Sequence, residues 1–180
     1  MARFNYASKC AHPKICLRLM KEFIEDAMTL TDEEDNPYTV VVARGKYFQT
    51  FPYSSNNYVV IHVDYQQYKH NKVGSVEFNR NIRLRSKIVK GFSDLTLSLL
   101  HELGHNETVD ELPFDYDRQK AEKKIRKYCG DDVRMLNMMY FSLPDEYAAT
   151  QWAIDWLSDE ENRKRAKAFE KAFFKAWRGK

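Results

Sequence analysis

Between Pro13 and Leu30 an apolar residue returns at every fourth position: Ile15, Leu19, Phe23 and Ala27, with Ile24 beside them. That spacing lays one stripe along a helix, and the acidic, proline-bearing TDEEDNP ends it. The period then changes. YTVVVARGKYFQTF reads as two strands joined by a hairpin turn at Arg44-Gly45-Lys46. YVVIHVDY alternates, with Val59, Ile61, Val63 and Tyr65 on one face. VEFNRNIRLRS is a weaker fourth strand, with Ile82 and Leu84 facing away from Arg83 and Arg85. From about Phe92 the pattern is helical to the end. A largely apolar helix is capped by Ser93 or Asp94, and a charged one in FDYDRQKAEKKIRKYCG stops at Gly130. SLPDEYAATQWAIDWL opens a helix at Ser142 and Pro144. DEENRKRAKAFEKAFFKAW puts its acids first and its bases after, as the helix dipole favours. This order predicts an α+β class in one domain spanning 1–180: an N-terminal helix, a small, mostly antiparallel sheet of three or four strands, then helices.

The apolar helix contains SLLHELGHNETV, residues 98–109. Residues four apart on a helix share a face, so His101 and His105 can place two imidazoles on one ion. Glu102 stands about 100° round the axis, within reach of a water on that ion. This is the His-Glu-x-x-His arrangement of zinc metallopeptidases, and chance supplies it only about 0.01 times in a chain of this length. Zn²⁺ on neutral imidazoles keeps a position open for water and lowers its pKa toward neutrality. Glu102 can take the proton and later give it to the leaving amine. Leu95, Leu97, Leu99 and Leu100 make the helix one to be buried, where unpartnered histidines would be costly. Gly104, unfavourable inside a helix, lets another backbone pass close.

A catalytic zinc wants a third protein ligand, and no histidine follows His105. Cys129 is available, as are Glu107, Asp110, Glu111, Asp115, Asp117, Glu122, Asp131, Asp132, Asp145, Glu146 and later acids. Glu146 is preferred. It shares a helix face with Ala149, Thr150, Ala153 and Leu157, and small residues one turn on allow two helices to approach as a shared metal requires. Asp145 is the reserve; it suits the helix dipole.

HELGH, followed forty residues later by EYAATQWAIDWL, resembles the Glu-zincin pattern, and in particular the ImmA/IrrE family of bacterial and phage metallopeptidases. The likeness covers roughly residues 58–157. Glu146, Ala149, Trp152 and Ala153 occupy the places of that family's second motif, Glu-x-x-Ala-Asn/Asp-x-Phe-Ala. Thr150 stands where the family carries Asn or Asp, and its hydroxyl can replace that residue's hydrogen bond to a zinc histidine. The resemblance implies a zincin-like fold, a small antiparallel sheet backed by the active-site helix. It also implies a peptidase mechanism on a protein or peptide substrate, endopeptidase in character. The competing reading keeps the zinc but makes the protein a regulatory or binding module without peptidase activity.

Further residues change this picture little. Tyr116, Tyr128, Tyr140 and Arg134 lie near or between the two motifs; Tyr140, nearest the Glu146 helix, is the first choice to stabilise an oxyanion. Arg80, Arg83, Arg85, Lys87 and Lys90 form a basic run before the active-site helix, read as protection of an exposed strand edge rather than a rim for acidic substrate. CAHPKIC offers Cys10, His12 and Cys16 in a spacing that matches no common metal finger. His62, Asp64 and His70 read as solvated residues. The apolar stripe Ala166, Phe169, Phe173, Ala176 and Trp177 is expected to pack on the domain rather than on a membrane. No stretch of eighteen apolar residues occurs, so no membrane span is expected. A net charge of +3 is too small to call for nucleic acid. Three cysteines without an export signal predict free thiols in the cytoplasm.

Overall fold

A computed structural model describes residues 10–29, 38–44, 49–54, 58–63 and 80–179. Helix α1 (Pro13–Ala27) opens on a proline, whose missing N–H costs nothing in a first turn. It buries Cys16, Met20, Phe23, Ile24 and Ala27. The stripe therefore sits one position on from the expected one at its start: Ile15 is exposed and Cys16 buried. The face is set by Phe23, which stacks on Phe169 with ring centroids 4.3 Å apart.

Strands β1 (Thr39–Arg44), β2 (Gln49–Ser54) and β3 (Tyr58–Val63) follow. Their order is β1-β3-β2, with β3 parallel to β1 (Val42 opposite Ile61) and antiparallel to β2 (Thr50 opposite Ile61). The hairpin expected around Arg44-Gly45-Lys46 is not formed, because β1 and β2 are not neighbours; residues 45–48 lie outside the described residues. The most apolar strand, β3, takes the centre and buries Val59 and Ile61. Pro52 lacks an N–H and suits β2 to an edge, and the register shifts around it, between Phe51 and Ser54.

Among the described residues the expected fourth strand is not formed; residues 76–79 of it lie outside them. Residues 80–85 are helical (α2), with Ile82 buried and Leu84 79 % exposed. Arg83 holds this segment against the next: it donates to the Val89 carbonyl (3.2 Å), the Phe92 carbonyl (3.0 Å) and Asp94 (2.7 Å). Arg85 donates to Gln151 at 2.7 Å and lies 3.9 Å over the Tyr147 ring. The basic run thus guards no strand edge; two of its arginines join helices. The α+β expectation of three or four mostly antiparallel strands is corrected accordingly. The described chain is mostly helical, and its strands make only a small mixed patch.

Helix α3 (Asp94–Glu107) is capped by the Ser93 hydroxyl, which accepts from the Thr96 N–H. It buries residues on every side, Leu95, Leu97, Leu99, Leu100 and Leu103 among them, and packs against α1, β2, β3 and α6 (Pro144–Trp156). Between them run α4 (Arg118–Cys129), which ends at Gly130 with φ 54°, and α5 (Val133–Tyr140). Ser142 does not cap α6; it donates to the Met138 carbonyl, and Leu143 takes the cap position. Helix α7 (Glu160–Arg178) buries Ala166, Phe169, Phe173 and Trp177 and packs on α1. Its Glu170 accepts from the Ser93 N–H and, at 2.7 Å, from the Thr96 hydroxyl, a carboxylate at the positive end of α3. Among the described residues no helix is long and apolar enough to cross a membrane.

Candidate metal centre

Helices α3 and α6 touch at backbone distance. A Cβ placed on Gly104 would lie 2.5 Å from the Ala149 carbonyl oxygen and 2.9 Å from its Cα. Only glycine on α3 and a small residue on α6 allow that approach, and it sets Glu146 opposite the two histidines. His101 Nε2 lies 3.1 Å from Glu146 Oε2 and 3.1 Å from His105 Nε2. His105 Nε2 lies 3.8 Å from the same Glu146 oxygen. Among the described residues these three form the one group of His, Cys, Asp or Glu side chains placed to hold a metal ion.

The donor set could hold a metal ion. Nitrogen or oxygen ligands about 2.0–2.1 Å from a tetrahedral zinc stand about 3.3 Å from one another, close to the spacings found. Hydrogen-bond counting agrees. The Thr150 hydroxyl donates its one proton to the Glu146 carbonyl at 2.7 Å. Toward His101 Nδ1, 3.2 Å away, it can therefore only accept, so Nδ1 carries the ring proton and Nε2 turns a lone pair to the centre. Two acceptors, His101 Nε2 and Glu146 Oε2, thus face each other at 3.1 Å, which a cation between them, a proton or a metal, makes favourable.

The electrostatics point the same way. Burial alone would raise the Glu146 carboxyl, but the hydrogen bond and charge of His101, with His105 and Arg118, hold it well below the usual range. Burial pulls His101 down, yet Glu146 outweighs it and the imidazole ends above its ordinary value. Burial and the charge of His101 push His105 down to about 3. Glu102 is half-buried on the same helix, and its charge reaches His101.

Arg118, which the sequence did not single out, is the hub of the surroundings. It donates from Nη2 to Glu146 Oε1 at 2.7 Å and to the Tyr140 hydroxyl, from Nη1 to Asp145, and from Nε to Glu122 at 3.1 Å. Asp145 also accepts from the Tyr116 hydroxyl, so it faces Arg118 rather than the histidines. Burial, the Glu146 charge and a hydrogen bond toward Glu146 raise the Tyr140 phenol well above its usual value, against the pull of Arg118. As placed, Tyr140 braces the ligand. One signal for Arg118 was present: a cation at the first position of a helix opposes the dipole, so something nearby has to compensate.

The remaining candidates lie elsewhere. Glu107 accepts from Thr29, Asp117 and Asp132 cap helices, and Cys129 sits 3.5 Å from the Met139 sulfur in a small separate cluster. Tyr128 and Arg134 are exposed. Cys10 and Cys16 are free thiols with sulfurs 3.4 Å apart, and burial, then the Cys10 contact, pushes Cys16 up to about 12. Asp64 and His70 lie outside the described residues. The chain matches no protein-family profile, no curated protein sequence and no solved structure.

Proposed function

We propose that the protein is a zinc-dependent metallopeptidase that cuts a protein or peptide substrate, as an endopeptidase of the Glu-zincin type. The observation that carries this reading is the meeting of His101, His105 and Glu146 within a few ångströms, with a glutamate next along the helix from the first histidine. A purely structural metal site has no use for that glutamate. Zinc held there would act as a Lewis acid and lower the pKa of water toward neutrality. His101 and His105 would offer Nε2 and Glu146 its Oε2. Glu102 would accept the proton of the attacking water on its carboxylate and deliver it to the leaving amine nitrogen. The likeness of HELGH and EYAATQWAIDWL to the ImmA/IrrE pattern supports the assignment, and the Thr150 contact to His101 supports its replacement of Asn or Asp. A cytoplasmic location belongs to the same reading, supported by the free cysteines.

The test is Glu102→Gln, which keeps side-chain volume but removes the base. Metal analysis should find about one zinc per chain in wild type and variant alike. Cleavage, read as new peptide termini in a proteome digest, should fall by about 10²–10⁴-fold. Equal cleavage by both proteins would remove Glu102 as the base. Zinc in both with cleavage by neither would favour a binding module.

A further inference from the structure

The two oxygens of Glu146 are divided between two tasks. Oε2 faces His101 and His105, while Oε1 accepts from Arg118 Nη2 at 2.7 Å. A carboxylate free on both sides can grip a metal with both oxygens. One whose second oxygen is held by a guanidinium offers a single atom. Arg118 is itself fixed from several directions, by Asp145 on Nη1, Glu122 on Nε and the Tyr140 hydroxyl on Nη2. Tyr116 in turn holds Asp145, and Asp117 caps the helix that Arg118 begins. The planar fork of arginine suits this divided grip, and a lysine ammonium could not reproduce it.

We propose that Arg118 is a positioning residue. By occupying Glu146 Oε1 it makes Glu146 a one-oxygen ligand and reserves the metal's remaining positions for water and substrate. The inference rests on the metal-site reading, and its test separates the two.

The full-length chain is loaded with Co²⁺, whose visible absorption is strong in four-coordinate and weak in five-coordinate sites. Wild type should show strong bands. Arg118→Met should still take up Co²⁺, because Glu146 gains a second contact as it loses the guanidinium, but its absorption per bound ion should fall several-fold. Asp145→Asn, which frees one arm of Arg118 and leaves Glu146 in place, should fall in the same direction by less. It also serves where Arg118→Met does not fold by circular dichroism. A merely structural Arg118 would lower the occupancy or the melting temperature while each bound ion kept the wild-type spectrum, and that result would overturn the proposal. Wild type that binds neither Co²⁺ nor Zn²⁺ would overturn the metal site itself, a different failure.

Discussion

His101 and His105 are one helical turn apart and titrate in opposite directions. His101 is held above its ordinary value and His105 is pushed down to about 3. Near pH 6.5, the ordinary histidine value, His101 therefore keeps a proton that a metal has to displace. His105 and Glu146 hold none there. Zinc uptake at that pH should release about one proton rather than two, and affinity should fall about tenfold per pH unit below the folded value of His101. Calorimetry in buffers of different ionisation enthalpy measures the count; a release of two that persists at about pH 5.5, where a zinc-bound water keeps its proton, would show that His105 is not kept neutral. Thr150→Val removes the acceptor that fixes the His101 ring proton at Nδ1 and keeps the side-chain shape. Zinc affinity should drop about 10–100-fold in equilibrium dialysis, with the fold unchanged.

At the scale of helices, the site depends on the α3–α6 contact. Gly104→Ala would set a methyl into the Ala149 backbone, which cannot move aside as a flexible side chain can. Overpacking of this kind costs about 1–3 kcal/mol. A melting point lower by roughly 2–12 °C and weaker zinc binding should follow together. Gly91→Ala is the control: its nearest neighbour is the tip of Lys167 at 3.6 Å, and its melting point should barely change. Sequence reasoning reached this contact because it is written in local terms, a glycine inside a histidine-bearing helix and an alanine one turn from Glu146. It did not reach Arg118, whose partners Tyr140, Asp145 and Glu146 are 22 to 28 residues away. The helix of residues 80–85 was misread for a different reason. Ile82 and Leu84 alternate with arginines like a strand, yet one is buried and the other among the most exposed apolar residues, and nothing nearby in the sequence says which pattern wins. The hairpin failed because a strand's neighbour is chosen by long-range pairing, and β3 displaces β1 from β2.

Over the whole molecule, the core is shared by the first and last described helices. Cys16, Met20 and Phe23 of α1 lie in the same cluster as Phe169, Phe173 and Trp177 of α7. The Ala11 N–H donates to the Trp177 carbonyl at 3.0 Å. A chain ended after Ser158 would keep His101, Glu102, His105, Arg118 and Glu146. It would lose the cover of α1 and the Glu170 carboxylate at the start of α3. Such a chain should bind a hydrophobic dye and aggregate; a soluble, cooperatively melting product that takes up zinc would show that α7 is dispensable.

The meeting of α1 and α7 also bears on how the protein is made. Synthesis delivers α1 before its covering helix, with more than 130 residues between Ala27 and Glu160. At about 5–20 residues per second, the side of α1 that meets α7 waits roughly 7–27 s on the ribosome for its cover, while β1 and α3 supply theirs sooner. Over that interval Phe23, whose ring stacks on Phe169, is open to any hydrophobic surface it meets. The nascent chain is then a natural client for a chaperone that grips short apolar helical stretches, and that dependence should vanish once α7 has been released.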